Sequence, residues 1–171
     1  MIVLTVHCIL NTESIIKGLG NNVNKSRELT KSLIENNVNI IQLPCPELNC
    51  FGLNRWGHVK EQFDNPFYRE QCRNLFIPYL NRIKEYINNN IDIIGIIGKD
   101  MSPTCGINKT CSEKNWGGNI EGRKNLSVIQ KSVEVKNESG IFIEEIKKLL
   151  AESDINLSFY DLNDKEIINH I

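Results

Sequence analysis

A chain of 171 residues, 40% hydrophobic and 24% charged, is long enough for one domain with a real core and has the composition of an ordinary globular protein. Its formal net charge of -1 gives no global attraction to nucleic acid or to an anionic membrane. No apolar run approaches the length of a membrane span, and Met1 leads straight into a strand with no basic leader or cleavage site, so a cytoplasmic protein is expected.

The chain opens with Ile2-Val3-Leu4-Thr5-Val6, apolar at nearly every position, as in a parallel strand covered on both faces. His7 to Thr12 reads as the loop at its end. Gly18, Gly20 and Asn21-Asn22 break the next segment. A helix is predicted over about 25–36, capped by Asn24, with Leu29, Leu33 and Ile34 on its apolar stripe. Val38 to Leu43 is the second strand, and strand–helix–strand order implies parallel pairing through a right-handed crossover.

Residues 44–57 hold two prolines and two glycines and read as a long irregular loop. A helix over about 66–88 follows, capped by Asp64 or Asn65, with Pro66 in its first turn. Cys72, Leu75, Phe76, Tyr79, Leu80, Ile83 and Ile87 keep its apolar period, and Pro78 predicts a kink or two abutting helices. The most apolar run, residues 91–97, is the third strand. Residues 107–126 are polar and glycine-containing and read as a lid or a surface loop, and 128–136 as ambiguous. A helix near 140–152 with Ser139 as cap and an edge strand over 155–160 complete the pattern. It predicts one α/β domain over residues 1–171, a Rossmann-like three-layer sandwich with a mainly parallel sheet of about four to five strands.

The six cysteines, with no export signal, point to reduced thiols, metal ligation or catalysis rather than disulfides. Cys8, Cys45 and Cys105 each lie just past a predicted strand, 37 and 60 positions apart, where open parallel sheets bind ligands. No Cys-x-x-Cys is present, which argues against a zinc ribbon or a thioredoxin-type pair. Three scattered thiolates suit a metal centre assembled by the fold, and soft ligands select zinc, copper(I) or iron–sulfur clusters. Cys72 reads as core, and Cys50 and Cys111 read equally as structural thiols or as extra ligands.

Cys8-Ile9-Leu10, then Cys45-Pro46-Glu47 with Gly52-Leu53 and Arg55, then Ser102-Pro103-Thr104-Cys105-Gly106 together resemble the 2-thiouracil desulfidase family over roughly the first two-thirds of the chain. The resemblance implies a 4Fe-4S cluster held by Cys8, Cys45 and Cys105, with one iron left open for a substrate sulfur. It implies catalytic roles for Glu47, as mover of protons, and for Ser102, as substrate hydrogen-bonder or proton relay. Arg55 and Asn11 are the expected substrate-binding positions. The implied reaction is hydrolytic and non-redox: water replaces sulfur in a thiolated nucleobase or related thiocarbonyl compound, and hydrosulfide leaves. A free thiolated base or nucleoside is expected rather than intact RNA. Where the family usually carries an Arg-Tyr-Asp-Gly-like stretch, this chain has Asn11-Thr12-Glu13-Ser14-Ile15-Ile16-Lys17-Gly18, and Cys50 stands among the residues before Gly52-Leu53.

Each assignment has a plainer alternative. Glu47 reads also as a loop carboxylate, Ser102 as a turn opener before Pro103, and Arg55 as an exposed loop arginine. Trp56 and Trp116 read as stacking platforms or as loop anchors, and nothing in the spacing of His7 and His58 makes them ligands. Two further functions use the same thiolates: a metal or iron–sulfur store or sensor without catalysis, and a zinc-dependent hydrolase.

Overall fold

The computed structural model describes residues 1–19, 23–119, 121, 125–164 and 167. Gly20, Asn21, Asn22 and Gly122, read above as breakers or loop residues, lie outside these. β1 (Ile2–Thr5) is buried at every position, as its unbroken apolar run requires. The expected loop after it is instead α1 (His7–Leu10), one helical turn, followed by a 3-10 turn over Thr12–Ser14. α2 (Val23–Glu35) begins earlier than expected, which puts Asn24 inside the helix rather than at its cap. Leu29 and Leu33 are buried, but Ile34 is exposed, one step round the helix from the stripe that meets the sheet. β2 (Asn39–Gln42) then pairs in parallel with β1.

The segment expected to be irregular contains α3 (Pro46–Phe51). Pro46 starts this helix instead of breaking it, because proline has no N–H to lose in the first turn and its φ is already helical. α4 (Lys60–Phe63) leads into α5 (Pro66–Asn88), capped by the Asn65 side chain, which accepts from Tyr68 N at 3.0 Å. α5 is one helix through Pro78 rather than two. Pro78 and Asn74, whose carbonyl loses its partner, are both exposed, so water takes the freed acceptor. Cys72, Phe76, Leu80 and Ile83 line the buried face, and Ile87, expected with them, is exposed near the frayed end.

β3 (Ile93–Gly98) lies on the other side of β1, again parallel. β4 (Thr110–Ser112) forms a small antiparallel pair with β5 (Glu134–Lys136), with α6 (Leu126–Lys131) between them. The ambiguous stretch is therefore part helix, part strand. α7 (Ile141–Ala151) packs along α5, with Phe142 meeting Phe76 edge-on at 6.4 Å. Its N-cap is Gly140, not Ser139, whose hydroxyl donates instead to the Ile107 carbonyl at 2.7 Å. β6 (Phe159–Asp161), shorter than expected, closes the sheet as a parallel edge strand beside β3.

The sheet order β2-β1-β3-β6 is all parallel and flanked by helices. Because the chain leaves β1 for β2 and returns to β3 on the opposite side, right-handed crossovers set α2 on one face and α5 with α7 on the other. The direction of winding reverses between β1 and β3, so a crevice opens at the carboxyl ends of those two strands. Cys8 and Cys105 follow them.

Candidate functional site

A cavity of about 320 Å³ lies at that crevice, and Cys8, Cys45 and Cys105 all line it, with Glu47, Arg55, His58, Ser102 and Cys111. A more open groove of about 610 Å³ between α1 and α2 carries no thiol. The three predicted ligands thus line one cavity. Cys8 belongs to the turn of α1, and Cys45 is the N-cap of α3, its Sγ accepting from Leu48 N at 3.4 Å.

The Cys105 loop is fixed by α7. The first amides of that helix have no partner within it, and here they donate to the loop: Gly140 N to Gly106 O at 2.9 Å, Ile141 N to Pro103 O at 3.0 Å and Phe142 N to Thr104 O at 2.9 Å. This contact requires glycine at 140, where a Cβ would strike the Thr104 carbonyl and lie 2.8 Å from Cys105 N. From the other side Asp100 Oδ1 accepts from Ile107 N at 2.9 Å and Asn108 N at 2.8 Å.

The thiols feel one another. Burial pushes Cys8 up to about 11, against the cation of Lys99, and Cys45 and Glu47 push the same way. Cys105 is raised well above the ordinary thiol value, by burial first and then by Cys45 and Cys8. Burial also raises Cys45. Without a compensating cation such a cluster stays protonated, and a bound metal group is what would make thiolates of it.

Glu47, in the first turn of α3, is buried and held at both oxygens. Thr104 Oγ1 donates to Oε1 at 2.6 Å, and Arg55 Nε donates to Oε2 at 3.2 Å. With its proton committed to Glu47, Thr104 Oγ1 accepts from Ser102 Oγ at 3.2 Å. Ser102, Thr104 and Glu47 therefore form one chain of hydrogen bonds along the cavity wall. Ser102 also opens its turn, its Oγ accepting from Cys105 N at 3.0 Å, as the plainer reading of this serine expected.

Arg55 is not the exposed arginine of the plainer reading. Its side chain is only 4% exposed, and it also donates to Gly52 O at 3.0 Å and to Ser14 O at 2.6 Å. It is a brace for Glu47 and two loops. Asn11 is exposed, its side chain lying 3.4 Å from His7 Nε2, and it is not among the cavity residues. Trp56 is 79% exposed, whereas Trp116 anchors its loop through Nε1 to Gly57 O at 3.1 Å. Cys72 is core, Cys50 is exposed, and Cys111 reaches the cavity with its Sγ 3.5 Å from His58 O.

Sequence reasoning gave Thr104 and Lys99 no role, and it placed His58 near the site without making it a ligand. Lys99 carried a usable signal, as the first charged residue beyond β3. Thr104 carried none, since its partner Glu47 is 57 positions away.

Fold and site together define an α/β protein with a cysteine-lined cavity at the switch point of its parallel sheet. The chain is 35% identical over 154 residues to an uncharacterized protein of Methanocaldococcus jannaschii, MJ0003, an alignment that covers 87% of this chain and 96% of the relative. It belongs to the family of that protein. No family model matches the sequence, and no solved structure matches it.

Proposed function

We propose that this chain is a desulfidase, which hydrolyses a thiocarbonyl compound such as a thiolated nucleobase to the carbonyl and hydrosulfide. The observation that carries the reading is that Cys8, Cys45 and Cys105 line one cavity with the buried carboxylate of Glu47. The donor set fits an iron–sulfur cluster in kind, because the soft thiols of Cys8, Cys45 and Cys105 line one space, and three of them leave one iron of a four-iron cluster without a protein thiolate. It fits a single zinc less well. One zinc at ~2.3 Å from each sulfur would draw the thiolates to within about 4 Å of one another. Among the described residues no three His, Cys, Asp or Glu side chains are grouped to hold one ion.

When bound, a 4Fe-4S cluster on Cys8, Cys45 and Cys105 supplies a Lewis-acidic iron with no protein thiolate on it, which draws electron density from the thiocarbonyl sulfur. The residues do the rest. Glu47 accepts a proton from the water that attacks the thiocarbonyl carbon, and returns one to the departing sulfur. Arg55 and Thr104 fix the two carboxylate oxygens so that this transfer has a defined direction. Ser102 and Thr104 extend the hydrogen-bonded path along the wall. The balance is one water consumed, one carbonyl formed and one hydrosulfide with its proton released, with no electron transferred.

A store or sensor needs the thiols but not a buried carboxylate held at both oxygens, and this favours catalysis over storage. The test is anaerobic turnover of a panel of thiolated bases and nucleosides by the iron- and sulfide-reconstituted protein, with hydrosulfide as the readout. Release from at least one compound supports the reading. An iron-loaded protein that releases none overturns it in favour of storage or sensing.

A further inference from the structure

Most polar side chains around the cavity are already engaged with protein. Glu47, Arg55, Thr104, Ser102, Ser14 and Asp100 all have partners at hydrogen-bonding distance. His58 is different. Its imidazole is held by two aromatic rings, Phe51 at 5.2 Å and Phe63 at 4.9 Å between centroids, so its plane is set before any ligand arrives. Its Nδ1 is sealed from solvent and makes no hydrogen bond. The ring lines the cavity, so Nε2 is the nitrogen left to meet a bound molecule. Burial lowers the basicity of the ring against the pull of Glu47 and of the Trp56 carbonyl. The ring thus meets a ligand in its neutral form, with one donor and one acceptor nitrogen.

We propose that His58 is a substrate-orienting residue, whose imidazole hydrogen-bonds the ring N–H or carbonyl beside the thiocarbonyl and so turns the sulfur towards the three thiols. The assignment rests on the desulfidase reading above. A cyclic thioamide or thioimide presents, next to its sulfur, one edge group that a neutral imidazole can bond. Ile15, Ile16 and Leu19 also line the cavity and offer apolar contact to such a ring. Lys99 also lines the cavity, but its charge acts on Cys8, which ties it to the thiols rather than to the substrate edge.

The experiment measures equilibrium binding of 2-thiouracil to the metal-free protein by calorimetry, alongside kcat and KM for the reconstituted protein. His58→Phe keeps the stacked ring and removes the hydrogen bond, and His58→Gln restores a donor and an acceptor. His58→Phe is expected to weaken binding and raise KM by about tenfold, with iron content and melting temperature unchanged and kcat less affected, and His58→Gln to recover part of the loss. Wild-type affinity in both variants overturns the role of His58 and leaves the desulfidase reading standing. An unaltered protein that neither binds 2-thiouracil nor releases hydrosulfide from any thiolated base overturns both.

Discussion

Glu47 is the side chain on which the proposed reaction turns, buried on the cavity lining and held at both oxygens by Thr104 and Arg55. Replacing it with glutamine keeps volume and most contacts but removes the proposed proton acceptor. Glu47→Gln is expected to lower hydrosulfide release by about 10²–10⁴-fold with iron content unchanged, as measured by anaerobic turnover beside metal analysis. Thr104→Val removes the 2.6 Å hydrogen bond to Glu47 and the continuity with Ser102, whereas Thr104→Ser keeps both. The valine variant is expected to lose about tenfold in kcat, and the serine variant to stay near the parent. That Cys8, Cys45, Cys105, Glu47 and Ser102 come to one candidate site was legible because strand ends and short motifs mark them in the sequence. The bracing role of Arg55 was not, since it depends on Ser14, 41 positions away, and Asn11 has the same polar character whether it faces the cavity or solvent.

At the scale of elements, the site is held by what packs behind it. The amide row of α7 seats the Cys105 loop across Gly140, so Gly140→Ala forces the helix and the loop apart. That change is expected to cost about 1–3 kcal/mol of stability and to reduce iron retention, read from thermal unfolding and metal analysis of the same sample. Glu61, on α4, ties that helix to β4 and β5. Burial works to raise its pKa, but the Ser112 hydroxyl, the Glu113 amide and Lys136 outweigh it and hold the carboxyl at about 2. A carboxyl depressed on folding contributes stability that is present above its unfolded value of about 4.5 and is lost as pH falls through 2. The stability difference between the parent and Glu61→Gln should therefore shrink as pH drops from about 5 to 2 in denaturant titrations. The long apolar runs and the amphipathic helices were legible because periodicity reports burial directly. α1 and α3 were not. Each is too short for a period to show, and Pro46 signals a helix start and a loop equally well.

At the scale of the whole molecule, the order β2-β1-β3-β6 is what converts three distant cysteines into neighbours. Parallel pairing brings the carboxyl ends of adjacent strands to one edge, and the reversal at β1 opens the crevice there. Alternating strand and helix patterns were enough to read the α/β class and the parallel sheet. The small β4–β5 pair was hidden because three-residue strands carry no readable alternation. No described helix is long and apolar enough to cross a membrane. The central claim is that Cys8, Cys45 and Cys105 act as one ligand set, and counting iron and acid-labile sulfide after anaerobic reconstitution tests it most directly. The account predicts about four irons per chain in the parent. Cys8→Ser, Cys45→Ser and Cys105→Ser should each lose most of that iron, and Cys50→Ser and Cys72→Ser should retain it. Full iron retention by any one of the first three variants would contradict it.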